Sequence, residues 1–166
     1  MALAALAGGK ARGMTGTALL PEQILELLPQ KEPFRFVDEI VEVSKRGIVA
    51  NYTFPPDLDF YRGHFPGNPV TPGVILLECI AQVGVVALGI YLVALEGGMD
   101  AVDSRLSLFA DADVDFSGVV RPGDRVTVSA TKKFFRRGKL RSEAEMHLDD
   151  GTLVCSATIS GIAVPR

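Results

Sequence analysis

One short stretch of the chain holds the side chains best suited to chemistry. His64, one of only two histidines, lies in a loop that contains three prolines. The apolar run that follows, from Val74 to Leu95, carries Glu78 as its only charge. A histidine and a carboxylate in apolar surroundings are suited to proton transfer on an apolar substrate. We therefore take His64 and Glu78 as a candidate acid–base pair.

The element that must position Glu78 is a long helix. The pattern predicts that it begins near Gly73 and ends around Glu96, with Gly97-Gly98 as its stop. Its length and hydropathy would also suit a membrane span. However, Lys and Arg are absent from its immediate flanks, and the strand-like remainder of the chain needs a helix to cover it. We therefore predict a buried core helix and no membrane span.

The rest of the chain predicts one short helix and six strands. The short helix covers residues 21–28 and stops at Pro29. Alternation of apolar and polar residues predicts strands at Phe34–Val43, Ile48–Phe54, Ser104–Phe116, Arg125–Phe135, Leu140–Leu148 and Leu153–Val164. This order predicts the α+β class, with an antiparallel sheet wrapped around a long central helix.

Size and composition limit the possible functions. A chain of 166 residues suits one domain, which we place at residues 19–166. Residues 1–18 are rich in Ala and Gly at their start. We predict that they form a disordered leader or a segment left over from cloning. A net charge of −3 disfavours a nucleic-acid partner. Two cysteines suggest a reducing compartment, the cytoplasm, and the sequence contains no metal spacing or nucleotide-cofactor loop.

The segment from His64 to Val74, followed by Glu78 and Ala81-Gln82, resembles a family motif. The family is the hot-dog fold 3-hydroxyacyl-acyl-carrier-protein dehydratases of the FabZ/FabA type, and the resemblance runs from about Leu27 to the C-terminus. Glu78 in place of Asp is nearer the FabZ type, which dehydrates without isomerising. The resemblance implies an acyl carrier protein as partner. It also implies a homodimer, joined through its sheet edges and commonly built into a trimer of dimers, whose active sites each take the histidine from one subunit and the carboxylate from the other.

The resemblance also implies roles for the two candidate residues. His64 would be the base that removes the C2 proton of a 3-hydroxyacyl thioester, and Glu78 the acid that protonates the departing C3 hydroxyl. For each residue the sequence leaves a structural alternative open. His64 could be hydrogen-bonded only to hold its loop, and Glu78 could face solvent near the helix start, where the helix dipole favours a negative charge.

Two further residues are candidates for binding the substrate. Gly73, at the helix N-terminus, has a free N–H that could hold the thioester carbonyl oxygen, or it could be required only for tight packing. Gln82 lies one turn after Glu78 on the same face. It could orient the carboxylate or a water, or pair with the backbone.

A cluster of basic residues surrounds a predicted hairpin turn. Six of them fall within ten residues: Lys132, Lys133, Arg136, Arg137, Lys139 and Arg141. Such a cluster is often only a solvated tip. Because acyl carrier proteins are acidic, it is also a candidate docking surface, with Arg62 and Arg121 as helpers.

The chain departs from the family pattern at its start and after the predicted strand that ends at Phe116. The segment Leu28–Phe34 lacks a histidine and an aromatic residue of the family, and Ser117-Gly118 replaces residues that are often basic. These changes leave a specialised role, in polyketide or another secondary pathway, open. Two rival functions also remain, a hot-dog acyl thioesterase and a non-catalytic acyl-binding homologue. An isomerising dehydratase would be identified by a 3-enoyl product.

Overall fold

A computed structural model describes residues 16–166. Most of the predicted leader, residues 1–15, lies outside the described residues. The helices are α1 (Pro21–Leu27), α2 (Gly73–Ala81) and α3 (Leu88–Asp103), with a 3₁₀-helix at Asp59–Arg62 and a π-helical turn at Gln82–Ala87 between α2 and α3. The strands are β1 (Glu39–Val43), β2 (Gly47–Thr53), β3 (Arg105–Phe116), β4 (Arg125–Arg136), β5 (Lys139–Leu148) and β6 (Leu153–Pro165).

The six strands form one antiparallel sheet in the order β1-β2-β4-β5-β6-β3. The tight turn between β4 and β5 places Arg137 and Gly138 at φ values of 50° and 76°. Positive φ at both central residues is the geometry of the two-residue turns that match the twist of a hairpin. The α+β prediction, an antiparallel sheet around a long helix, is confirmed.

Alternating side chains of the sheet build the core under the helix. On β4, Val126, Val128 and Ala130 are buried while their neighbours are not, and β5 repeats this pattern with Leu140 and Met146. Since successive side chains of a strand point to opposite faces, one face of the sheet packs on the helix and the other faces outward. The helix is therefore enclosed on the sheet side along most of its length.

The helix and the sheet are in close contact at the π-helical turn, whose residues are all buried. The Ser142 hydroxyl on β5 donates a 2.8 Å hydrogen bond to the carbonyl oxygen of Gly84. A Cβ added to Gly161 on β6 would lie 2.1 Å from Cγ1 of Val85. Glycine is thus needed at position 161 because the helix leaves no room for a side chain.

One predicted boundary is confirmed and one is wrong. The long helix is interrupted at the predicted glycines, where Gly98 has the non-helical values φ 68° and ψ −166°, and a further short helical segment follows to Asp103. Glycine permits this backbone conformation at little steric cost. The first strand begins at Glu39 rather than Phe34, because the backbone at Phe36 bonds to side chains of the helix instead of to a neighbouring strand.

The helical run Gly73–Asp103 is 31 residues long and has a hydropathy of 2.2 over its most apolar stretch. By length and composition alone it could cross a membrane. However, 61% of that stretch is buried inside the protein, where it forms the core under the sheet. The run is the predicted core helix.

Candidate active site

The loop between the 3₁₀-helix and α2 holds His64 in a defined orientation. The His64 carbonyl oxygen accepts a 2.9 Å hydrogen bond from the Val70 N–H, and Nδ1 of its half-buried ring lies 2.9 Å from the Val70 carbonyl oxygen. Because a carbonyl oxygen can only accept, Nδ1 must carry the hydrogen of the neutral ring. The other nitrogen, Nε2, therefore keeps a free lone pair, as a general base requires.

The connection between β3 and β4 is hydrogen-bonded to this loop at two points. The Thr71 N–H donates to the Val120 carbonyl oxygen at 2.8 Å, and the Arg121 guanidinium reaches Oδ1 of Asn68 at 3.3 Å. The sequence places Arg121 among possible carrier-docking helpers, whereas the structure shows that its side chain is bonded to the histidine loop. The loop is thus anchored on the connection between β3 and β4, and it leads directly into α2.

Glu78 lies on α2, half-buried, and is held by Gln82. Nε2 of Gln82 donates 2.9 Å and 2.8 Å hydrogen bonds to Oε1 of Glu78 and the Phe34 carbonyl oxygen, and Oε1 of Gln82 accepts a 2.7 Å bond from the Phe36 N–H. Both amide hydrogens are therefore used inside the protein. The geometry matches two of the options that the sequence leaves open for Gln82: it orients the carboxylate and it pairs with the backbone.

Cys79, beside Glu78, has no accessible surface and its thiol donates to the Phe36 carbonyl oxygen at 3.2 Å. Burial raises the pKa of this thiol well above its ordinary value. The thiol is consequently a neutral core group, and with Gln82 it fixes the segment from Phe34 to Phe36 on the helix beside the carboxylate.

Gly73 is the first residue of α2, following Pro72 as N-cap. Among residues 16–166, no acceptor is bonded to its N–H. A Cβ at this position would lie 3.1 Å from the ring of Phe116. Both the free N–H and the tight packing considered from the sequence are therefore present, and mutagenesis must separate them.

Within the described part of one chain, no hydrogen bond or ion pair joins His64 to Glu78. His147, the other histidine, lies on β5 with Nε2 3.8 Å from Glu145. The two candidate residues are thus held independently, His64 by its own loop and Glu78 by the helix.

The basic cluster divides into paired and unpaired residues. Lys133 lies 2.7 Å from Glu143, Lys139 and Arg141 both contact Asp111, and Arg62 pairs with Asp59. Among the described residues, no ion pair involves Lys132, Arg136 or Arg137. The guanidinium of Arg136 instead lies 5.3 Å from the ring centroid of Phe134, a favourable cation–π contact.

The structure adds two arginines that sequence reasoning missed. Arg105 lines the same surface cleft as Arg137, and Arg166 donates its backbone N–H to the neighbouring Ser104 carbonyl oxygen at 3.0 Å. The antiparallel pairing of β3 with β6 brings these distant positions together, so no local pattern could reveal them. We call the end of the sheet that carries Arg105, Arg137 and Arg166 the basic end of the sheet. The length of β4, roughly 35 Å, separates it from the turn at residues 120–124.

A long core helix under an antiparallel sheet, with a histidine loop leading into the helix that carries a carboxylate, defines a hot-dog protein with a candidate acid–base site. A family model described as a FabA-like domain matches residues 28–158. The dehydratase FabZ of Caldicellulosiruptor bescii, which acts on 3-hydroxyacyl-acyl-carrier-protein, is 36% identical over 143 residues, covering 83% of this chain and 94% of that protein. FabZ of Bacillus velezensis is 37% identical, covering 84% and 94%. The chain belongs to the FabA-like family, among its FabZ-type 3-hydroxyacyl-acyl-carrier-protein dehydratases.

Solved structures show the same fold at lower sequence identity. The dehydratase heterocomplex ApeI:P of Xenorhabdus doucetiae has a TM-score of 0.66 at 15% identity, covering 89% of this chain and 93% of that chain. A thioesterase of Haemophilus influenzae has a TM-score of 0.65 at 17% identity, covering 92% and 96%. Since a dehydratase and a thioesterase match equally well, the fold alone does not distinguish the two activities.

Proposed function

We propose that the protein removes water from 3-hydroxyacyl thioesters on acyl carrier protein, giving trans-2-enoyl thioesters in fatty-acid or related polyketide-type biosynthesis. The observation that carries the proposal is the orientation of His64, whose Nδ1 is occupied by Val70 and whose Nε2 is free. The curated FabZ relatives supply the reaction. Because its long apolar helix is largely buried in the protein core, we propose that the protein acts in the cytoplasm.

In the proposed reaction, Nε2 of His64 takes the C2 proton and electron density moves onto the thioester oxygen. The free N–H of Gly73, at the positive end of α2, stabilises that oxygen. Glu78 donates a proton to the C3 hydroxyl, the C3–O bond breaks, and the C2=C3 double bond forms as water leaves. Gln82 holds one carboxyl oxygen of Glu78, which leaves the other for the substrate. Return of the proton from His64 to Glu78 through solvent completes the cycle.

The proposed active site is shared between two chains. Within residues 16–166, strand β3 lies at the sheet edge with β6 as its only neighbour, and Leu108, Phe109 and Phe116 on it are each about half exposed, at 46%, 50% and 49%. An unpaired strand edge with apolar side chains suits pairing with a second copy through a two-fold axis. In this homodimer His64 would come from one subunit and Glu78 from the other. A trimer of dimers is the larger assembly that we propose for it.

The same dimer would bring the basic end of the sheet of one chain close to the active site of the other. Two copies of β3 related by a two-fold axis would run antiparallel, so that Arg105 of one chain lies towards Phe116 of the other. The ring of Phe116 lies beside Gly73 at the candidate site, 3.1 Å from where a Cβ at that position would be. Arg136 and Arg137 of the partner subunit would therefore flank the entrance to the active site, with Lys132 and Lys133 further along the same strand. These positive charges would attract an acidic carrier protein. Arg62, on the histidine loop side, would extend the same surface.

Product analysis by mass tests the reaction. The purified protein is incubated with a 3-hydroxyacyl carrier-protein thioester, alongside His64→Ala, Glu78→Ala and the matched control His147→Ala. We expect loss of one water with the wild type and the control, and an unchanged substrate with the other two variants. An unchanged substrate with the wild type would reject the proposal in favour of acyl binding. Release of free acid would identify a thioesterase, and a 3-enoyl product an isomerising enzyme.

A further inference from the structure

A hydrogen bond between two buried hydroxyl groups closes the histidine loop. Oη of Tyr61 lies 2.6 Å from Oγ1 of Thr71, and each residue is only 6% exposed. The two residues flank the segment 62–70, which contains His64. We call this pair the Tyr61–Thr71 clasp.

Both ends of the clasp are fixed on the protein backbone. The Tyr61 N–H donates to the Leu58 carbonyl oxygen at 3.0 Å, and the Thr71 N–H donates to that of Val120 at 2.8 Å. Burial raises the pKa of the Tyr61 hydroxyl, so it remains a hydrogen-bond donor at neutral pH. Because the backbone on each side is held, the bond between the side chains sets the separation of the loop ends.

The clasp lies one residue from the atom that orients the imidazole. Val70, whose carbonyl oxygen faces Nδ1 of His64, directly precedes Thr71. At the other end, the His64 N–H donates to the Phe60 carbonyl oxygen at 2.9 Å, beside Tyr61. A shift of either clasp residue would therefore move a backbone group that holds His64. A buried hydroxyl left without its partner also favours such a shift.

We propose that Tyr61 and Thr71 are positioning residues for His64: their bond fixes the Val70 carbonyl oxygen, and this oxygen fixes the hydrogen on Nδ1 and the direction of Nε2. The proposal rests on the proposed role of His64 as base. A purely structural clasp would instead stabilise the loop and leave the imidazole unaffected.

Tyr61→Phe removes the tyrosine hydroxyl, and Thr71→Val replaces the threonine hydroxyl by a methyl group. The two variants are measured singly and together. Thr71→Ser keeps the hydroxyl and serves as the matched control. For each single variant we expect kcat to fall by between about 10-fold and 100-fold. We expect KM to stay within about twofold, because orientation rather than binding is lost. The double variant should lose no more kcat than the less active of the two single variants, since both remove the same bond. Thr71→Ser should retain most of the activity.

Nitrogen NMR of the imidazole gives a readout independent of turnover. With His147→Gln as background, His64 is the only histidine observed. The parent should show the neutral ring with its hydrogen on Nδ1, and Tyr61→Phe and Thr71→Val should show a mixture of the two tautomers. Thermal unfolding of each variant reports the folded fraction.

An unchanged tautomer in both variants, with kcat within about twofold of the parent, would overturn the proposal. So would a loss of activity that follows the loss of folded protein while the tautomer stays the same, because the pair would then act on stability alone. If the wild type dehydrates no substrate, the proposed function fails separately, and the imidazole spectra still decide whether the clasp orients His64.

Discussion

The side-chain amide of Gln82 joins Glu78, one helical turn earlier, to the backbone of a segment more than 40 residues away in sequence, at Phe34 and Phe36. Gln82 has no accessible surface; its bond with the Phe36 N–H is buried, and its bonds with Glu78 and the Phe34 carbonyl oxygen are partly buried. A single buried side chain thus sets both the direction of the candidate acid and the position of the chain beside it.

Replacing Gln82 with Met removes these bonds while keeping a similar volume. The buried Phe36 N–H, the partly buried Phe34 carbonyl oxygen and a carboxyl oxygen lose their partner, and we expect the free energy of unfolding to fall by about 2–5 kcal/mol. Urea denaturation measures the change. The matched control is Gln30→Met, because among the described residues Oε1 of Gln30 has no partner to lose. The control should change stability by less than about 1 kcal/mol, and equal losses in the two variants would contradict the proposed importance of the Gln82 bonds.

Gly73→Pro separates the two possible uses of Gly73. Proline lacks the N–H but suits the first residue of a helix, and Pro72 before it already has the extended ψ of 137° that a following proline requires. We expect kcat to fall by about 100-fold or more if the N–H stabilises the oxyanion. Gly73→Ala is the control, since it keeps the N–H and adds only the contact with Phe116. Steady-state kinetics of both variants give the answer: equal losses would assign Gly73 to packing.

Gly161→Ala tests the close contact between sheet and helix. The added Cβ would lie 2.1 Å from Cγ1 of Val85, so the helix or the strand must move. We expect a loss of about 1–3 kcal/mol in the free energy of unfolding. Gly89→Ala adds the same methyl group on the helix, 3.8 Å from Leu140, and should be neutral or slightly stabilising. Urea denaturation of the pair would count against this packing if Gly161→Ala were as stable as the control.

Reversing the charges of Arg136 and Arg137 to Glu tests carrier docking. We expect kcat/KM on the carrier-linked substrate to fall by about tenfold or more, with a weaker dependence on salt. Turnover of a small thioester analogue should remain unchanged, because the chemistry is untouched. Lys45→Glu with Arg46→Glu, at the exposed turn between β1 and β2, makes the same change in net charge elsewhere. Equal loss on both substrates, or from the control pair, would contradict docking at Arg136 and Arg137.

Both cysteines should resist thiol reagents in the folded protein. Cys79 and Cys155 have no accessible surface, and burial raises the pKa of Cys155 to about 11. The neutral thiol is favoured in the folded state, so the reactive thiolate forms only as the pH rises towards that value. A colorimetric thiol titration at pH 8 should detect no thiol in the native protein and two after denaturation. A rapid reaction of either thiol without denaturant would show that the core opens locally.

The fold follows from local patterns, and the main departures come from distant contacts. Alternation along β4 and β5 and the apolar run after Gly73 are visible in a single pass along the sequence. By contrast, residues 34–38 read as strand because their apolar pattern resembles one. Their backbone groups are taken by Gln82 and Cys79, which no local pattern reveals.

The candidate site shows the same division. His64, Glu78 and Gln82 are evident from their residue types within one motif. Their roles as base, acid and orienting group stay predictions. The clasp between Tyr61 and Thr71, like the arginines at 105 and 166, depends on how separate segments pack, and one sequence carries no signal for such contacts.

The π-helical turn makes Gln82–Ala87 the segment of the long helix that can absorb a change in length. A π-helical turn takes in one residue more than an α-helical turn. A chain shortened by one residue within this turn would close into a regular α-helix, and Glu78 would keep its orientation relative to α3. One residue removed from the regular helix on either side would instead rotate Glu78 by about 100° relative to α3 and carry it away from Phe34 and Phe36. Natural variation in the length of this helical run should therefore fall within Gln82–Ala87 and be excluded from α2 and α3.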